Sequence, residues 1–183
     1  MTTQIALLRA VNVGGHAKVT MEELRQVLDR LGMQNPRTLL QTGNLVFESP
    51  SAAGPELEQL LESETERRLG LRTDILVRAL NEMAALVAGN PFAQEAEEDP
   101  SHLLVVFLKT RPPEGAAQAL DALPGPERVR PWDRHLFATY PAGIGRSPLT
   151  MSYLERKLGT RGTARNWNTV LKLDRLAQES IRS

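Results

Sequence analysis

Residues 4–11 form an almost unbroken apolar run, Ile5, Ala6, Leu7, Leu8, Ala10 and Val11, with one charge, Arg9, inside it. That pattern predicts a buried strand. The period then changes. Leu24, Val27, Leu28 and Leu31 recur at the spacing that puts one face of a helix into a core. Thr20 with Glu23 three residues on is a capping box, and Gly32 is a C-terminal stop. Residues 37–41 and 45–47 flank Thr42, Gly43 and Asn44, which predicts a hairpin. A second helix starts near Pro55 and carries Leu57, Leu60, Leu61 and Leu69 before Gly70 closes it. Residues 73–77 read as another strand. The order is βαββαβ, and neither leucine stripe can be buried alone. The expectation is a ferredoxin-like unit over residues 1–79, with both helices on one face of a four-stranded antiparallel sheet.

The second half is less regular. Met83, Leu86 and Val87 predict a short helix that Gly89, Asn90 and Pro91 stop. Residues 92–101 are acidic and read as a loop. Residues 103–108 (Leu-Leu-Val-Val-Phe-Leu) are apolar without interruption, as in a central strand. A helix follows from Pro112 with Ala116, Leu120 and Leu123, then two strands around Trp132, Asp133 and Arg134. Residues 149–158 and 166–180 are expected to be helical. The αβαββ order predicts a second, smaller α+β lobe, ferredoxin-like over about residues 80–150. The expected division is 1–79 and 80–183, with the C-terminal helices packing back on the first lobe.

Composition narrows the chemistry. The chain of 183 residues carries 22 basic and 22 acidic side chains and no cysteine. Disulfides, thiolate metal sites and cysteine nucleophiles are therefore excluded. The longest apolar run is far shorter than a bilayer span, and no signal-peptide pattern opens the chain, so a cytoplasmic protein is expected. Charge is uneven: residues 128–183 hold eleven Lys/Arg and four acids, a surplus of +7. That asymmetry permits an anion-facing surface, or neutralisation within the molecule.

Three polar segments stand out. Asn12, Val13, Gly14 and Gly15, with Lys18 and a helix beyond, have the parts of a phosphate cradle: backbone donors, an ammonium and a helix dipole. The spacing matches neither the P-loop nor the dinucleotide fingerprint, and a turn needing positive φ would use the same glycines. Arg9 either aims at a cleft or faces solvent. Gln41, Thr42 and Asn44 either meet a ligand or satisfy their own hairpin. Arg165, Asn166, Trp167, Asn168 and Thr169 set four hydrogen-bonding side chains around one large anchor at an expected helix start; an N-cap explains one of them. His16, His102 and His135 lack metal-ligand spacing, and no nucleophile elbow is present, so neither a metal nor a cofactor is expected. Aromatics make up only 4% of the chain, which gives little for nucleic-acid recognition beyond the basic third.

Residues 9–15, the helix over Met21–Gly32, the run Gln41-Thr42-Gly43-Asn44-Leu45-Val46-Phe47, the stretch Tyr140-Pro141-Ala142-Gly143-Ile144 and the stretch 162–173 resemble, in this order, the bacterial DUF1697 family, whose function is unknown. The resemblance implies an α+β fold and a bacterial, cytoplasmic protein, and supplies no reaction. The expectation is a polar cleft formed by Arg9, Asn12, Gly14, Gly15, Lys18, Gln41, Asn44, Arg165, Asn166, Asn168 and Thr169, holding a small anionic or nucleotide-like ligand or a nucleic-acid end. The alternatives are a small transferase or hydrolase acting on a phosphorylated substrate, and an assembly module in which the motifs are structural.

Overall fold

The computed structural model describes residues 1–10, 18–40 and 43–180. Asn12, Gly14, Gly15, His16, Gln41 and Thr42 lie outside the described residues. The chain divides into two compact units, Met1–Ala85 with Lys172–Ser183, and Leu86–Leu171.

The first unit contains β1 (Thr2–Leu8), α1 (Met21–Arg30), β2 (Gln34–Thr38), β3 (Asn44–Ser49), α2 (Gly54–Leu69) and β4 (Ile75–Ala79). The strands form one antiparallel sheet in the order β2-β3-β1-β4. Alternation decides the faces. Ala6, Leu8, Leu45, Phe47, Ile75 and Val77 pack with Leu24 and Leu28 of α1 and Leu57 and Leu61 of α2, so both helices cover one face. The capping box forms as expected: Glu23 N donates to Thr20 Oγ1 (3.1 Å), and Thr20 N donates to Glu23 Oε2 (2.8 Å).

α3 (Leu80–Ala88) leads out of the first unit, and α4 (Ala93–Glu98) follows it. The second unit then repeats the topology with β5 (Leu103–Leu108), α5 (Ala116–Asp121), β6 (Arg128–Trp132), β7 (His135–Thr139), α6 (Met151–Leu158) and β8 (Gly162–Asn166). Its sheet has the order β6-β7-β5-β8, the first sheet's order over again. α7 (Trp167–Ser180) closes the chain.

The two lobes share register as well as order. Leu8 opposes Ile75 and donates its N–H to Gly43 O (2.8 Å); Leu108 opposes Gly162 and donates to Arg134 O (2.9 Å). One residue on, Arg9 N donates to Asp74 O (3.0 Å) and Lys109 N to Arg161 O (2.9 Å). Ile75 and Gly162 therefore correspond, as do Arg78 and Arg165.

Three edge strands, β4, β8 and β6, receive side-chain caps from neighbouring helices. On β4 the alternate N–H groups of Ile75, Val77 and Ala79 donate to Glu62 (2.7 Å), Glu58 (2.8 Å) and Glu82 (2.8 Å). On β8 Gly162 N donates to Glu155 Oε1 at 3.2 Å. On β6 Val129 N donates to Asp121 Oδ1 at 2.7 Å, and Pro131 has no N–H to offer. Such capping denies a foreign strand its hydrogen bonds.

Several expectations need correction. β1 ends at Leu8, so Arg9 follows the strand instead of sitting within it. Leu60 is exposed, and Glu58 takes the buried place on α2, because its carboxylate serves Val77 N–H and Arg78. Leu31 is only half-buried. The acidic stretch expected as a loop contains α4; after Pro112 the helix is delayed to Ala116 and leaves Leu123 exposed. The largest difference is β8: residues 162–166 form the strand that completes the second ferredoxin-like lobe, so Arg165 lies in a strand and the helix begins at Trp167.

Candidate functional site

In the first lobe, described residues near two of the three polar segments in sequence, Leu8 and Gly43, are hydrogen-bonded to each other. The Leu8–Gly43 hydrogen bond ties the exit of β1 to the β2–β3 turn. Arg9 is held on both backbone groups: its N–H donates to Asp74 O, and its carbonyl accepts from Thr73 Oγ1. Arg9 is half-buried and Lys18 is exposed. Ala10 (φ 52), Leu40 (φ 59) and Gly43 (φ 77) all adopt left-handed backbone around this edge, the conformation that suits short, tightly turning loops. Asn44 is fully buried, and its Nδ2 donates to Leu39 O at 2.9 Å, which braces the hairpin from within.

The third segment, residues 165–169, lies wholly in the second unit; the α7 residues from Lys172 on cluster with the first. Arg165 Nη1 donates to Thr163 Oγ1 (2.8 Å) and to Ala164 O (2.9 Å). Burial pushes its guanidinium down to about 10. Asn166 Oδ1 accepts from Thr169 N at 3.0 Å, the geometry of an N-cap for α7. Trp167 is buried with its ring tilted on Phe137, 6.3 Å between centroids. Asn168 is exposed and Thr169 half-buried. The pentad thus supplies a strand end, a cap and a core anchor, and it presents Asn168 to solvent.

The arginine with an unexpected setting is Arg78. It is fully buried, donates to Val77 O at 2.7 Å, and has Glu58 Oε1 at 3.6 Å. Only its place in an otherwise apolar stretch, Ile75 to Ala79, signalled it. Among the described residues no group of three His, Cys, Asp or Glu could hold a metal ion.

The model of the family described as a protein of unknown function, DUF1697, matches residues 1–137. The chain belongs to the DUF1697 family. No curated protein matches it. The DUF1697 chain is also similar to a solved structure, the conserved bacterial protein SP0830 from Streptococcus pneumoniae, at 22% identity and a TM-score of 0.70 over 96% of this chain and 98% of that one. That likeness speaks for the fold alone. No helix among the described residues is long and apolar enough to cross a membrane.

Proposed function

We propose that this DUF1697 protein binds a small anionic or nucleotide-like ligand where β1 leaves the first sheet. The observation that supports the reading is the Leu8–Gly43 hydrogen bond; in the sequence Asn12-Val13-Gly14-Gly15 follows soon after Leu8, and Gln41-Thr42 directly precedes Gly43. Arg9 and Lys18 flank the first segment in sequence. Their charges complement a phosphate, and glycine-rich backbone supplies donors at low steric cost. Asn44 acts in this reading by holding the turn through Leu39 O. The alternative, a transferase or hydrolase acting on a phosphorylated substrate, would use the same cations to stabilise a transferring group.

A thermal-shift series with inorganic phosphate, mononucleotides and sugar phosphates tests the reading. A ligand at a hundredfold its Kd stabilises by about 2.7 kcal/mol, a readable rise in Tm. The rise is expected to vanish in Lys18→Ala and to shrink in Arg9→Ala. If none of these compounds moves Tm at millimolar concentration, the reading fails.

A further inference from the structure

We infer that the second lobe pairs with a second copy of this chain through the seam between α5 and α6. Two adjoining hollows follow that seam, of about 230 and about 180 Å3, and Leu120, Leu123 and Tyr153 line both. The larger is completed by Pro124 and Glu127 just past α5 and by Pro148 and Leu149 just before α6. The smaller is completed by Ala116, where α5 starts, and by Lys157, near the end of α6. The two helices therefore run antiparallel along the seam. Leu123, common to both hollows, is 40% exposed. The one acid of α5, Asp121, accepts from Val129 N–H (2.7 Å) and from Arg130 (2.6 Å), so the seam itself is apolar.

The two ends of the seam carry opposite charge. Glu127, half-buried, lines one end, and Lys157, exposed, lines the other. The Tyr153 ring holds two cations at that rim: the Arg156 guanidinium carbon lies 5.3 Å and Lys157 Nζ 5.6 Å from its centroid. Among the described residues, Glu127, Arg156 and Lys157 form no ion pair. Such a surface is complementary to itself. Turned about a two-fold axis, the Glu127 end of one copy meets the Lys157 end of the other, and both pairs form at once. The two Leu123 side chains then leave water against the partner's hollows. An acidic peptide would match the cations and set a like charge against Glu127, and a basic one would do the reverse. A second copy answers both ends. Two short helices support an interface at the low end of the usual range, roughly 1,200 Å2 in total, and so a weak dimer that forms as concentration rises.

The experiment is sedimentation velocity of the full chain over about a hundredfold range of concentration, into the hundreds of micromolar. A monomer–dimer equilibrium is expected, with a Kd on the order of 10–100 µM. Leu123→Asp, at an exposed position, is expected to raise that Kd more than about tenfold. Glu127→Lys and Lys157→Glu each set like charges against one another at both ends of the pair, and each is expected to raise the Kd about tenfold. Placed together in one chain, the two reversals exchange the ends and are expected to restore the parent Kd. Mixing the two single variants is expected to give a heterodimer as tight as the parent. A fault of folding would not be mended in either way, so the rescue separates an interface from a structural role. A chain that stays monomeric throughout, which leaves the seam to another partner, would overturn the proposal. So would a dimer that Leu123→Asp leaves intact, or single reversals that neither the double variant nor the mixture rescues.

Discussion

The two lobes have one topology and one register, yet they bury their matching arginines differently. Arg78 in β4 has no exposed surface and sits 3.6 Å from Glu58. Arg165 occupies the same position in β8 and donates to a hydroxyl and a backbone carbonyl. A buried charge with a carboxylate beside it loses heavily when that carboxylate is removed. The same architecture therefore sets one arginine beside a carboxylate of α2 and gives the other a hydroxyl and a carbonyl of its own strand. The matching positions Ile75 and Gly162 differ in the same sense. The first lobe fills the site with a large side chain. In the second, a Cβ would stand 2.6 Å from Phe107 O, which is backbone and cannot swing aside.

The sharpest way to break the comparison is Glu58→Ala, which strips the carboxylate from both Arg78 and Val77 N–H. A loss of roughly 3–5 kcal/mol in denaturant unfolding is expected. Arg165→Met removes the hydrogen bonds to Thr163 Oγ1 and Ala164 O and is expected to cost less, about 1 kcal/mol. Equal losses would mean that the two arginines do the same job. Next comes Gly162→Ala, expected to cost about 1–3 kcal/mol through the close approach of β5 and β8. A variant as stable as the parent would show that β8 has room to move where β4 does not.

Helix starts differ as well. α1 has a full capping box, whereas α5 begins at Gly115 with no side-chain cap. Thr20→Ala is expected to cost about 1 kcal/mol, measured as a lower urea midpoint at unchanged slope. The smallest effect concerns Asp174 on α7. Its buried Oδ1 has no hydrogen-bond partner, and burial holds its carboxyl above the ordinary aspartate range. A carboxyl raised in the folded state penalises folding when ionised, and the penalty disappears as pH falls through its folded value. Asp174→Asn is therefore expected to add about 0.5–1 kcal/mol at pH 7. The gain should shrink as pH falls through the raised folded value and be gone below the ordinary aspartate range. A gain that stays constant with pH would place the cause elsewhere.

The first lobe was legible because local signals agreed: Thr20 and Glu23, the leucine stripe of α1 and the Gly43-Asn44 turn all name the same elements. The second lobe was only half legible, and β8 shows why. Gly162-Thr163-Ala164-Arg165-Asn166 has neither an apolar run nor strong alternation; it becomes a strand because β5 offers it an edge, a tertiary cause. Acidic α4 hid for the opposite reason, since its charges look like a solvated loop. Leu60 and Glu58 exchanged places because a carboxylate that accepts from Val77 N–H and pairs with Arg78 outweighs the cost of burying it, and periodicity counts only apolar residues. Of the candidate site, Asn44 and Asn166 are engaged by their own backbone, a use that single-sequence reading weighed without deciding.

The first unit gathers Met1–Ala85 but also Lys172–Ser183, the last twelve residues of the chain. Synthesis runs the other way. A ribosome releases β1 through β4 early, then the whole second unit, and only at the end the turns of α7 that belong with the first. The lobe that emerges first is thus the last to be finished, and it must wait through the making of its twin. For that interval the carboxylates of α2 on β4, both already synthesised, guard an edge against the strands of a second lobe built to the same plan.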